Sequence, residues 1–370
     1  AAVAALHAPT LADGVAACGG HYMCECHLTH NFFLRAVDMH VLYNGDDAEF
    51  ERRYAESLPA DGPPMREILA DLRAQREKRL HNPVAAAERA AKIAESYRRL
   101  HPEVYQLDPH EFLAPGFREV AEAFRGCAGR TQLVDKAVRE LKAKGLLTEL
   151  REGLWSFPVL STRFCDLLEA ELRHFLASGL PRTAPNTMNR YGVILAELGF
   201  GPGLMDPLVK SYMDPIASCL LPASTDGLDS YRAFTVLYDA VEDGDRELAL
   251  HYDNAEVTLN VNIGGEWQGG QVAFHGLVTE PEGSVASTDV VLERGHGVFH
   301  SGLELHQALP ISAGRRHNLI MWCRSSGVRN QRCPMCFDPP TLVPTNKLAH
   351  EGFTVRSMPL QKDVGEDLYN

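Results

Sequence analysis

His251 and Asp253 stand two apart in the segment His251-Tyr252-Asp253, and a third ligand-type residue, His306, follows downstream. On an extended strand, side chains two apart leave the same face, so this imidazole and this carboxylate converge on one point. Two imidazoles and one carboxylate form a facial ligand set that suits Fe(II) and leaves coordination positions open. Pro310 and Gly314 lie between His306 and Arg316. They predict a turn between two strands. A hairpin centred on Ile311 would lay Arg316 nearly opposite His306 and a few ångströms deeper.

A fixed cation behind such a metal suggests a dicarboxylate cosubstrate. 2-Oxoglutarate chelates iron through its keto-acid end and leaves one position for dioxygen. Its far carboxylate then needs a permanently charged, bidentate partner, which Arg supplies and Lys only approximates. Arg315 competes for this role. Strand alternation favours Arg316, which shares a face with Asn318, Ile320 and Trp322, while Arg315 shares the other with His317, Leu319 and Met321. Tyr238 lies on the strand before His251 and offers a hydroxyl to the cosubstrate. His300 sits near His306 but has no arginine at the matching offset, so it reads as structural.

These residues need strands to carry them. After Pro222 the pattern turns to period two, and strands are expected over 232–238, 248–253, 257–263, 271–274, 298–306 and 317–323, separated by glycine-rich turns. Val257–Ile263 (VTLNVNI) has an apolar face of Val257, Leu259, Val261 and Ile263 and a polar face of Thr258, Asn260 and Asn262. In a barrel holding a dianion, the polar face lines the pocket and the apolar face packs on helices. Ahead of the strands the chain reads as helical: 65–80, 84–97, 131–147, 161–177 and about 203–220. The stretch LTELREGLWSFPVL reads as a hairpin. A winged-helix reading of helix plus hairpin is set aside, because the chain is acidic and three such helices would be needed. The expected architecture is α+β: a jelly-roll core backed by helices, with residues 1–150 a mostly helical region with a Cys-rich start, 151–340 the catalytic domain and 341–370 a C-terminal tail.

HYDNAEVTLNV (His251–Val261), the pair Gly269–Gly270 and LHQALPISAGRRHNLIMW (Leu305–Trp322) resemble the catalytic domain of 2-oxoglutarate- and Fe(II)-dependent dioxygenases of the prolyl 4-hydroxylase type. The resemblance implies a double-stranded β-helix, iron on His251, Asp253 and His306, and 2-oxoglutarate on Arg316. It implies hydroxylation coupled to oxidative decarboxylation, with ascorbate as a candidate reductant. One feature departs from that pattern. Where many prolyl hydroxylases place a tyrosine after the H-x-D, this chain has Asn260 and Asn262, and Asn262 is assigned to the cosubstrate.

Composition bounds the partners. The 370 residues carry 36 Lys+Arg against 49 Asp+Glu, a net charge of −13. Such a chain lacks the cations that sequence-independent binding to nucleic acid requires, and anionic membranes repel it. No apolar run reaches the length of about 20 residues that a span needs. The large helical region favours a protein or other macromolecular substrate. A small-molecule oxygenase and a silent binding module are the competing classes. Nine cysteines, an odd number, with no secretion signal argue for reduced thiols inside the cell, in cytoplasm or nucleus, with organelle import left open. Cys333-Pro334-Met335-Cys336 is half of a zinc signature, and Cys24 and Cys26 complete a tetrad if the two ends of the chain meet.

Overall fold

The computed structural model describes residues 21–241, 243–281 and 283–345. Strands form where the period-two pattern lies, and most collect into two sheets, with two further two-stranded sheets among the described residues. We number those that matter here: β1 (Tyr22–Cys24), β2 (Thr148–Arg151), β3 (Leu154–Pro158), β4 (Ser230–Asp239), β5 (Leu248–His251), β6 (Val257–Gly264), β7 (Val272–Leu277), β8 (Thr288–Val290), β9 (His296–Ser301), β10 (Glu304–Ala308), β11 (Ile311–Arg324) and β12 (Leu342–Pro344). The larger sheet is seven-stranded, in the order β2-β3-β9-β6-β11-β4, with Trp267–Gly269 pairing on β11; the smaller is four-stranded, β8-β7-β10-β5. From β4 onward the chain passes repeatedly from one sheet to the other.

Two expected connections come out differently, for one reason. Residues 298–306 are not one strand. β9 ends at Ser301 in the larger sheet and β10 starts at Glu304 in the smaller one. The break sits at Gly302, where an added Cβ would lie 1.9 Å from the Ala255 carbonyl oxygen, so only glycine fits. Likewise β10 and β11 do not close a hairpin at Ile311. β10 pairs with β7 and β5, and β11 with β4 and β6. Pro310 marks a crossing between sheets. His306 and Arg316 therefore stand on different sheets rather than opposite each other on one ladder.

The larger sheet is covered by helices at residues 115–124 and 162–177. α1 (Met65–Ser96) runs unbroken through Pro83, where two helices are expected. Its Arg-, Glu- and Ala-rich sequence propagates on both sides of the one lost backbone bond. α2 (Pro115–Phe124), α3 (Thr131–Ala143) and α4 (Thr162–Ala177) follow. α4 starts where the Ser161 hydroxyl accepts from the Phe164 N–H at 3.1 Å. Its stripe Phe164, Leu168, Leu172 and Phe175 buries against Val257, Leu259, Val261 and Ile263 of β6 in one core. That burial settles which face of β6 is inside, and so turns Thr258 and Asn260 toward the other side.

The same core draws residues from Ile93 to Cys323, so it crosses the division expected at residue 150. The hairpin β2–β3 joins the larger sheet through β3 and β9. Among the described residues the Cys-rich start carries strands rather than α-helix, since Phe32–Leu34 pairs with Met39–Val41 and β1 pairs with β12. Leu342–Pro344 thus belongs to a sheet, while the remainder of the expected tail after Thr345 lies outside the described residues.

Glu171 of α4 is fully buried and ties the preceding helical segment down. Its carboxylate accepts from the hydroxyls of Tyr97 (2.9 Å) and Tyr105 (2.8 Å) and from the His101 N–H (2.6 Å). Glu171→Leu would take the acceptor from the Tyr105 hydroxyl and the His101 N–H, while the Tyr97 hydroxyl keeps the backbone carbonyl of residue 171 at 3.2 Å and His174 Nδ1 at 3.1 Å. It should lower stability by about 2 kcal/mol or more in urea unfolding, at roughly 1–3 kcal/mol per orphaned group. A loss below about 1 kcal/mol would show the network to be unimportant.

Candidate metal and cosubstrate site

β5 and β10 bring the two histidines together. His306 is the direct antiparallel partner of His251, and their rings stand 4.3 Å apart between centroids. Beyond His251 the strand ends, and Asp253 is fixed by its own N–H donating to the Gly302 carbonyl at 2.8 Å. Asp253 Oδ1 lies 3.8 Å from Nε2 of each histidine. The three ligand atoms all fall within 4.8 Å of one another.

The protonation pattern suits a metal. His251 Nδ1 lies 2.7 Å from the Ala249 carbonyl oxygen, and His306 Nδ1 lies 2.9 Å from that of Glu304. A carbonyl only accepts, so each Nδ1 carries the proton and each Nε2 presents its lone pair. Burial, reinforced by the neighbouring His306, pushes the His251 pKa down to about 3, so this ring is neutral at ordinary pH. Asp253 Oδ2 is held by the Thr258 hydroxyl at 2.6 Å, leaving Oδ1 to face the histidines. The ring of Phe274 stacks on His306 at 5.5 Å.

His300 stands edge-on to His306 with centroids 5.1 Å apart, but its Nδ1 is spent on the Ser301 carbonyl at 2.8 Å. Burial lowers its pKa to about 4. It packs behind the site and does not join the ligand cluster.

On the facing sheet, Arg316 is 3 % exposed and lines the same cavity as His251, Asp253 and His306. Its β-ladder partner is Tyr238, and the guanidinium carbon lies 4.4 Å from that ring's centre. One Nη donates to the Gly270 carbonyl, while Nε is buried without a partner. Among the described residues no carboxylate pairs with Arg316. A buried cation without a counter-anion costs heavily unless a ligand supplies one. Arg315 takes the other side of the strand, where it is exposed and paired with Asp239. Tyr238 is buried, and its hydroxyl lies 3.5 Å from the Asn189 amide.

Asn262 is a correction. It lies on the same face of β6 as Thr258 and Asn260, but at the strand's far end, where its amide donates to the Leu292 carbonyl at 3.3 Å. It does not line the cavity. Asn260 and Asn318 do, bonded to each other at 2.7 Å across β6 and β11. Thr258 is the residue that the sequence reading placed on the right face without giving it a role. The four terminal cysteines Cys24, Cys26, Cys333 and Cys336 also meet, as a separate group.

The comparisons follow this geometry. A family profile described as an OGFOD2-like domain matches residues 93–226. The chain is 38% identical over 333 residues to the Xenopus tropicalis protein called 2-oxoglutarate and iron-dependent oxygenase domain-containing protein 2, spanning 88% of this chain and 91% of that one. The Homo sapiens protein of the same name is 37% identical, with 92% and 95% covered. An Arabidopsis thaliana relative, 2-oxoglutarate and iron-dependent oxygenase domain-containing protein ICU11, is 34% identical over 65% of this chain and 59% of its own length. These relatives put the chain among the 2-oxoglutarate and iron-dependent oxygenases. Within that class, it belongs to the family of 2-oxoglutarate and iron-dependent oxygenase domain-containing protein 2.

Thr258→Val should keep the fold and weaken metal binding about 10- to 100-fold, as loss of a residue that orients a ligand does. Titration with Mn(II) followed by calorimetry reads this directly. An unchanged affinity would remove Thr258 from the site.

Proposed function

We propose that this chain is an Fe(II)- and 2-oxoglutarate-dependent hydroxylase acting on a polypeptide. The observation that carries the reading is the sharing of one cavity by two imidazoles, one oriented carboxylate and a buried guanidinium with no carboxylate partner among the described residues. His251 Nε2, His306 Nε2 and Asp253 Oδ1 are the atoms that would hold the iron. When bound, ferrous iron supplies the redox chemistry that couples decarboxylation of 2-oxoglutarate to oxidation of a substrate C–H bond, with ascorbate as a candidate reductant.

The chain's own residues do the rest. Arg316 accepts the far carboxylate of the cosubstrate, with the Tyr238 hydroxyl beside it. Thr258 and the carbonyls of Ala249 and Glu304 hold the ligands in orientation. Phe234, Val236, Ile320 and Trp322 wall the cavity and exclude water. The alternation of β4–β11 between the two sheets supports reading them as the halves of a double-stranded β-helix.

A polypeptide substrate is favoured by the cleft beyond the site. A cavity of about 460 Å³ lies between α1 and the loop 183–187, and it includes Arg79 and Asn186. Arg79 and Asn186 also line the space next to His251, and Asn186 reaches the cavity of the metal ligands. The helical region thus borders cavities that share lining residues with the site, an arrangement that would suit a long substrate. No helix among the described residues is long and apolar enough to cross a membrane. Reduced cysteines favour cytoplasm or nucleus.

Asp253→Ala should abolish iron-dependent succinate formation, read as uncoupled turnover of 2-oxoglutarate without a prime substrate. Wild-type turnover in that variant would refute the assignment, and no turnover in wild type would favour a silent binding module. Arg316→Ala should raise the KM for 2-oxoglutarate roughly 30-fold or more, in line with the about 2–5 kcal/mol lost when a buried charge pair is truncated. An unchanged KM would place the cosubstrate elsewhere.

A further inference from the structure

The described residues hold a second cluster of metal-ligand type, remote in sequence from the first and not used by the proposed reaction. Cys24 and Cys26 come from the start of the described chain, Cys333 and Cys336 from near its end. Their Sγ atoms all lie within 4.8 Å of one another. Cys26 and Cys333 lie 3.7 Å apart and Cys24 and Cys336 4.0 Å, each pair joining one end of the chain to the other. A disulfide needs about 2.05 Å between sulfurs, so neither pair is bonded. Zinc–thiolate bonds of about 2.3 Å set the sulfurs of a tetrahedron about 3.8 Å apart. The observed spacings match that edge.

The backbone around the sulfurs is built to hold them. β1 pairs with β12, with Cys24 opposite Leu342, and the Glu25 N–H donates to the Thr341 carbonyl at 2.8 Å. Past Cys26 the chain turns tightly, with the N–H groups of Thr29 and His30 both reaching the Cys26 carbonyl. The second pair sits in a closed knuckle: the Cys333 N–H donates to Asp338 and the Phe337 N–H to Cys333, both at 2.8 Å. Phe337 takes a left-handed φ of 63°, which closes that turn. The Asn31 amide clips the two turns together at the Met335 carbonyl, 3.2 Å away.

Buried reduced thiols in a small core are the ordinary alternative. A core is made of aliphatic and aromatic side chains, whereas this cluster consists of four cysteines and Met335 alone. It is too small to order two chain ends by burial. We infer that Cys24, Cys26, Cys333 and Cys336 form a structural zinc site that ties the two ends of the chain together, closed to substrate by its four thiolates. The site stands apart from the iron reading but abuts its strand. Tyr252, between the ligands His251 and Asp253, packs its ring 6.1 Å from that of Phe337. Just before the knuckle, Arg329 donates to Asn254 at 2.7 Å and to Glu256 at 2.8 Å. Zinc here would brace the segment that carries Asp253.

Elemental analysis of the full chain purified with zinc and iron supplied tests this. Zinc can also enter the His/Asp cluster, so the His306→Ala variant is measured alongside. About one zinc per chain is expected in His306→Ala, falling to roughly a tenth or less when Cys333→Ser is added to it. If Cys333→Ser fails to fold, cobalt substitution of the His306→Ala protein replaces it, with thiolate-to-cobalt charge-transfer and tetrahedral d–d bands expected. Zinc absent from His306→Ala, zinc retained when Cys333→Ser is combined with His306→Ala, a cobalt spectrum without thiolate bands, or disulfides among the four cysteines would each overturn the inference.

Discussion

The register of two short strands governs the site. His306 meets His251 across β10 and β5, and a shift of one residue would turn one imidazole out of the cavity. Asp253 reaches the same point only because the chain leaves β5 after His251 and is caught by the Gly302 carbonyl. Gly302 sits where β9 gives way to β10. A single tight turn therefore sets both the carboxylate and the approach of the second histidine. Its closeness to Ala255 leaves no space for a side chain.

The second constraint is the separation of ligands and cation onto different sheets. The candidate metal ligands belong to the smaller sheet and its loop, Arg316 and Tyr238 to the larger one. The larger sheet keeps its apolar face for the helices, so its polar face is left to line the cavity. Burying Val257, Leu259, Val261 and Ile263 against α4 is thus what points Thr258 at Asp253 and Asn260 at Asn318. Packing energy and site geometry come from one alternating strand. The absence of a carboxylate beside Arg316, among the described residues, leaves its charge for a ligand to satisfy.

Much of this was legible in the sequence. The H-x-D spacing, the distal histidine and the parity of Arg316 against Arg315 follow from side-chain direction on strands, which is local. The two faces of β6 are local too. What the chain did not declare locally is which strands share a sheet. Pro310 and Gly314 look like a hairpin turn, and only the pairing of β11 with β4 and β6 shows that the chain crosses over. Asn262 failed for a related reason: parity gives the face of a strand but not where along it the cavity ends. Pro83 misled as a helix stop because the residues on either side favour helix strongly enough to continue. The meeting of the two cysteine pairs depends on β1 and β12, whose pairing spans nearly the whole chain and leaves no local mark.

The central claim is that a ferrous ion and 2-oxoglutarate occupy the cavity together, between His251, Asp253 and His306 on one side and Arg316 on the other. Anaerobic titration of the iron-loaded chain with 2-oxoglutarate, followed by visible absorption, tests it most directly. Chelation of ferrous iron by a 2-oxo acid produces a metal-to-ligand charge-transfer band. The band should rise and saturate in wild type, need far more 2-oxoglutarate in Arg316→Ala, and be absent in Asp253→Ala. A titration that gives no band in wild type, or an undiminished one in Asp253→Ala, would contradict the account.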